Sequence, residues 1–281
     1  MKKAAEIVGK LLLLALMISV ALIIILIIYF LAVGFNESTL EAVAESKWQI
    51  YLQMAVFMLA ATLIYALFER KRGWSLGLKQ PKGGAALRAG LLLGAVMISL
   101  SALLIWSFGG MEWEWIGFRS NVLRSLLDGF ILFACVAVYE EFFSRGYLQG
   151  LIQYHFGSLT AIIVSSVLFT AMHSFNPGMT ETPIPIINLL LVGILLAYTR
   201  KISGGIWMPV GIHFTWNWFQ GCVYGFKVSG TELVPSLIRT TITGPVPISG
   251  GSFGIEGSYI ATLITVLAII AVWSFNRTRL V

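Results

Sequence analysis

Charge is what this sequence has least of. Only 11% of its 281 residues are Asp, Glu, Lys or Arg, against about a quarter in a soluble globular domain. A chain so poor in charge cannot clothe a water-facing surface, which excludes a soluble enzyme or binding module. Cysteine is scarce as well. Cys135 and Cys222 both sit in apolar runs without CxxC or zinc-finger spacing, so neither a disulfide framework nor a thiolate zinc site is implied. Histidine occurs three times, and no HExxH pair is present to put two metal ligands on one helical turn. No internal repeat and no soluble domain is visible.

What fills the chain is apolar: 58% hydrophobic residues with a mean hydropathy of +0.86. Runs of about 17–25 apolar residues are long enough to cross a bilayer. They fall at roughly 11–33, 48–68, 89–108, from 125 onward, 158–175, 184–198, 205–224 and 258–275. The expected fold is an all-α, polytopic transmembrane helical bundle of about eight spans. It divides into N-terminal helices (1–124), a central core (125–225), and a Gly-, Pro- and Thr-rich loop with a final helix (226–281). The first span follows Lys2 and Lys3 but is too long for a cleaved leader, and Ala42-Val43-Ala44 lies too far beyond it, so it reads as an uncleaved anchor.

The formal net charge is +6, and the basic residues cluster beside the spans: Lys2, Lys3 and Lys10, then Arg70 to Arg88, then Arg200-Lys201, then Arg277 and Arg279. The loop after the first span is acidic (Glu37, Glu41, Glu45). This distribution reads as membrane topology and lipid contact rather than nucleic-acid binding. It puts both termini and the basic loops in the cytoplasm of a multi-pass membrane protein. Asn36-Glu37-Ser38 fits a glycosylation sequon only weakly, and Trp113 and Trp115 read as an aromatic belt.

Against that background the stretch YEEFFSRG, Tyr139 to Gly146, stands out. Ionisable groups in lipid must pair or face a cavity. Neighbours on a helix point about 100° apart, so Glu140 and Glu141 serve different ends. Arg145 follows Glu141 at i,i+4, the favourable order for an ion pair, which leaves Glu140 without a local cation. Glu141, Arg145, Gln149 and Gln153 continue as a polar stripe until His155-Phe156-Gly157 breaks the helix. His155 reads as solvated at that turn. Glu140 and His173 lie nearly equal numbers of residues on either side of Gly157, each roughly 25 Å from it along a helix. An antiparallel hairpin would bring them to one depth. His213 and Asn217, at i,i+4 in HFTWN, share a helical face, either as inter-helix packing or as site residues.

Taken in order, EEFFSRG, FTAMH and HFTWN match the motifs EExxxR, FxxxH and HxxxN. The chain resembles the CPBP intramembrane proteases (CAAX proteases and bacteriocin-processing, or Abi, proteins), which include the type II CAAX prenyl endopeptidases. The resemblance spans about 125–217. It implies that Glu140 and His173 hold and activate a water, that His213 and Asn217 stabilise the oxyanion, and that Glu141 and Arg145 support them. The implied activity is endopeptidase cleavage of a membrane-associated substrate, prenylated if CAAX-type. Members of the family have long been classed with the metalloproteases, but the family's structural picture favours a glutamate-based site, so no cofactor is favoured. The alternative is zinc on Glu140, His173 and His213. A proton-coupled transporter or a non-catalytic scaffold would also carry buried ionisable residues, but the first should show a repeat and the second decayed motifs. GGSFGIEGS, Gly250 to Ser258, is similar to a stretch of bacterial members and has no role assigned. The depth of the site is expected in the half bounded by the basic loops.

Overall fold

The computed structural model describes residues 2–36, 39, 48–232 and 235–278. Glu37, Ser38, Glu41, Ala42, Val43, Ala44, Glu45 and Arg279, on which parts of the reading above fall, lie outside the described residues.

The apolar runs form helices: α1 (Lys2–Val33), α2 (Trp48–Ile64), α3 (Gly83–Ser107), α4 (Ser120–Glu141), α5 (Gln149–Met172), α6 (Ile184–Ser203), α7 (Trp207–Trp218), a short α8 (Val246–Ser249) and α9 (Tyr259–Thr278). Among the described residues, six helical stretches are long and apolar enough to cross a membrane, which makes this a multi-pass architecture. Eight spans are not clearly present, for two physical reasons. First, α4 and α5 run together through Ser120–Met172, interrupted by Gly157 at φ 83°. This left-handed glycine is the turn anticipated between the fourth and fifth runs. Second, α7 covers only about 18 Å at 1.5 Å per residue, short of a bilayer core of about 30 Å. A π-helical turn, Phe219–Val223, extends it.

The fold is also not purely helical. β1 (Met111–Trp115) pairs antiparallel with β2 (Ile238–Ile242) in the register Met111↔Ile242 to Trp115↔Ile238. The alternation in MEWEW and the β-branched residues of IRTTI favour this ribbon. Glu114 faces Arg239 across it, with an ion pair of 2.7 Å. Trp113 stacks between Trp106 and Tyr224.

The ends of the bundle differ. At one end the basic loop 70–82 is stitched to the α6–α7 connection: the Gln80 side chain donates to the Ser203 carbonyl (2.7 Å), and the Trp207 indole to the Leu78 carbonyl (2.8 Å). The ribbon and the segments 174–183, 224–232 and 235–258 occupy the other end. Two buried apolar clusters lie between. One joins α1, α2, the α4–α5 junction and α7; the other joins α3, α6, α7 and α9. The α3–α7 crossing is the tightest. A Cβ on Gly94 would lie 2.2 Å from Thr215 Oγ1, and one on Gly90 would lie 2.1 Å from the Met208 carbonyl oxygen. Small residues at such crossings let backbones approach where side chains would hold them apart.

Candidate active site

Between α4 and α5 the chain passes through π-helical turns, Phe142–Leu148, and every residue in them is buried. The wider turn leaves the i,i+4 stripe intact and aims it at α6. Arg145 Nε lies 3.2 Å from Glu141 Oε2, with both side chains fully buried. The guanidinium also donates to the Gly193 carbonyl at 3.3 Å and sits 4.2 Å above the Phe169 ring. One turn on, the Gln149 amide donates to the Ala197 carbonyl (2.9 Å), and Arg200 reaches Gln153 (3.3 Å). Fully buried charges persist only when paired and hydrogen-bonded, and this stripe meets that condition on a neighbouring main chain. His155 is half-buried rather than solvated, because Tyr154 and Phe156 flank its ring.

Glu140 points away from the stripe. Its Oε2 is buried without a hydrogen-bond partner and lies 3.8 Å from His173 Nε2. The hairpin about Gly157 therefore brings the two residues to one depth. His173 ends α5, with Nδ1 2.8 Å from the Phe169 carbonyl oxygen. A carbonyl can only accept, so Nδ1 carries the proton and Nε2 presents a lone pair towards Glu140. His213 Nδ1 lies 2.8 Å from Glu141 Oε1. Glu141 thus does more than neutralise Arg145, since it fixes the His213 ring. Asn217, one turn on, is buried, and no described residue hydrogen-bonds its amide.

Glu140, His173, His213 and Asn217 line one cavity of about 410 Å³. Among the described residues, no group of three or more His, Cys, Asp or Glu side chains converges as metal ligands, so the set Glu140, His173 and His213 does not fit a zinc ion. The cavity draws on more of the chain than the motifs do. Gln53 of α2 and Asn188 of α6 contribute, as do Asn176, Ser229, Thr231 and Glu256 at the ribbon end. It therefore also reaches residues at the end opposite the basic loops.

Glu256 is the functional candidate that motif reasoning left unassigned. The segment carrying it is clamped by Asn188, whose amide donates to the Glu256 carbonyl at 2.7 Å and the Ser258 carbonyl at 2.9 Å. Its carboxylate accepts from the Gln220 amide and lies 3.4 Å from Ser229 Oγ. Burial pushes the carboxyl up from its ordinary value, and the hydrogen bonds from Gln220 and Ser229 oppose that. The signal in the sequence was an acidic residue inside a glycine-rich, otherwise uncharged stretch.

No curated protein matches the chain. Residues 122–219, the stretch holding Glu140, His173, His213 and Asn217, match the family described as Type II CAAX prenyl endopeptidase Rce1-like, and this match supports identifying the chain with the CPBP/CAAX proteases.

Proposed function

We propose that the protein is an intramembrane endopeptidase that hydrolyses a peptide bond of a membrane-associated substrate, CAAX-type or related, with a glutamate-activated water and no metal. The observation that carries this reading is the pairing of two acceptors across 3.8 Å, Glu140 Oε2 and His173 Nε2, in a cavity that also holds an unpartnered Asn217 amide. A water between them would give one hydrogen to each acceptor and turn a lone pair towards a carbonyl carbon. Glu140 takes the proton as oxygen attacks, and that proton then passes to the departing amine as the C–N bond breaks.

The carbonyl oxygen becomes negative in the tetrahedral intermediate. Asn217 donates an amide N–H to it. His213 Nδ1–H is committed to Glu141, so its Nε2 donates only from the doubly protonated ring. The Glu141 carboxylate favours that cationic form, and Arg145 holds the carboxylate in place. One oxyanion donor in a water-poor site contributes on the order of 3 kcal/mol to the transition state.

The chemistry is assigned to the 125–225 core, with 1–124 and 226–281 as flanking helices and cap. Both termini and the basic loops are assigned to the cytoplasm, with lipid and a membrane-bound peptide or protein as partners. The test is cleavage of quenched peptides by purified protein in micelles. Glu140→Gln and His173→Ala should each abolish turnover while the proteins still unfold cooperatively. Retained turnover in either variant refutes the mechanism. Activity removed by a chelator and restored by stoichiometric zinc would replace the metal-free reading.

A further inference from the structure

The cavity is lined by two carboxyl groups, Glu140 and Glu256, and by no Lys or Arg among the described residues; its one cation in the proposed mechanism is the His213 ring. Arg145, the nearest guanidinium, is fully buried behind the site, where it is bound to Glu141 and to the Gly193 carbonyl. Glu256 is 7% exposed, and its neighbours Gln220, Ser229 and Trp216 are neutral donors, so no described protein cation pairs with its carboxyl group. A second polar atom nearby is also unmet: Gln220 Oε1 is buried without a partner. Glu256 is anchored through its main chain: Asn188 donates to its carbonyl and to that of Ser258, and Thr262 in turn donates to Asn188 Oδ1 at 2.7 Å.

We propose that Glu256 is a specificity-determining residue that receives the lysine or arginine side chain of a peptide segment whose scissile carbonyl lies at Asn217. The inference rests on the protease reading and narrows its substrate class to peptides with a basic residue beside the cleaved bond. A substrate that brings an acidic side chain to Glu256 meets like charge there and is disfavoured. The cation contributes a charge-assisted hydrogen bond in a site shielded from solvent, where such a bond is stronger than its neutral counterpart.

The experiment uses the full chain in micelles and quenched peptides that differ only in a Lys, norleucine or Glu flanking the cleaved bond. The wild type should favour Lys over norleucine by about tenfold in kcat/KM, with Glu lowest. Glu256→Gln should bring the Lys-to-norleucine ratio close to one. If that variant does not fold, Glu256→Asp should give an intermediate ratio. A wild type without Lys preference, or a ratio that survives the substitution, overturns the proposal. Affinity of the same peptides for Glu140→Gln, with and without Glu256→Gln, separates the two readings. Lys-selective, Glu256-dependent binding without any cleavage by the wild type retains the subsite and refutes the protease. Absence of both refutes both.

Discussion

At the scale of single residues, the arrangement turns on what the second nitrogen of each imidazole does. His173 spends Nδ1 on a main-chain carbonyl and His213 spends it on Glu141, so the two rings enter the cavity with opposite abilities. The first accepts, and the second donates when protonated on both nitrogens. Glu141 is therefore a positioning residue. Glu141→Gln should lower kcat by about 10–100-fold with little change in KM, and should move the alkaline limb of the pH–rate profile to lower pH, because His213 acts in its protonated form; an unchanged profile would count against the assignment. Arg145→Met should destabilise the fold by about 3–5 kcal/mol, because it strands a buried carboxylate, and the double variant Glu141→Gln/Arg145→Met should recover part of that loss. Thermal unfolding in micelles measures both. Much of this was legible in the sequence. The spacing of Glu141 and Arg145 announced an ion pair, and the positions of Glu140 and His173 around Gly157 announced a shared depth. The hydrogen bond from His213 to Glu141 was not legible, because it joins two helices whose rotation about their axes no local pattern specifies. Glu256 was hidden for a related reason: a lone acid in a glycine-rich loop acquires meaning only when the loop is placed against α6 and α7.

Elements fix the distances that the residues need. The position of the α7 face that carries His213 and Asn217 is set by its crossing with α3, where glycines on both helices remove the side chains that would separate them. Gly94→Val should push α7 outward by clashing with Thr215 and the Ile212 carbonyl, and should cost activity through displacement of His213. The expected signature is a loss of turnover larger than the loss of thermal stability alone explains, read from parallel melting and kinetic measurements. The eight apolar runs of the sequence correspond to real helices, but run length alone misjudges how they are joined. Gly157 lets two helices follow one another as a single interrupted stretch, and Pro209 falls in the first turn of a seventh helix that stays short. The ribbon is not apparent in the sequence because its strands are separated by more than a hundred residues and each is only five residues long. Alternation over so short a span competes poorly with the hydrophobic signal around it.

Over the described molecule, most of the basic residues lie at one end and the ribbon and cap at the other, and the cavity reaches residues of the cap. In a variant lacking Cys135 and Cys222, a cysteine introduced at Lys71 should react with membrane-impermeant maleimide only from the cytoplasmic side, and one at Thr240 only from the opposite side. Reaction of both from the same side would overturn the assigned orientation.

The polar stripe of α5 has a further consequence. Arg145 and Gln149 grip α6 through the main-chain oxygens of Gly193 and Ala197, not through side chains. The partner side of that contact is thus written in the peptide backbone, which every amino acid supplies alike. Paired substitutions between related sequences would leave no trace of this grip. The only constraint on α6 is steric: at Gly193 a side chain would strike Ser166, so homologues should show a demand for smallness there and no matching change in the arginine opposite.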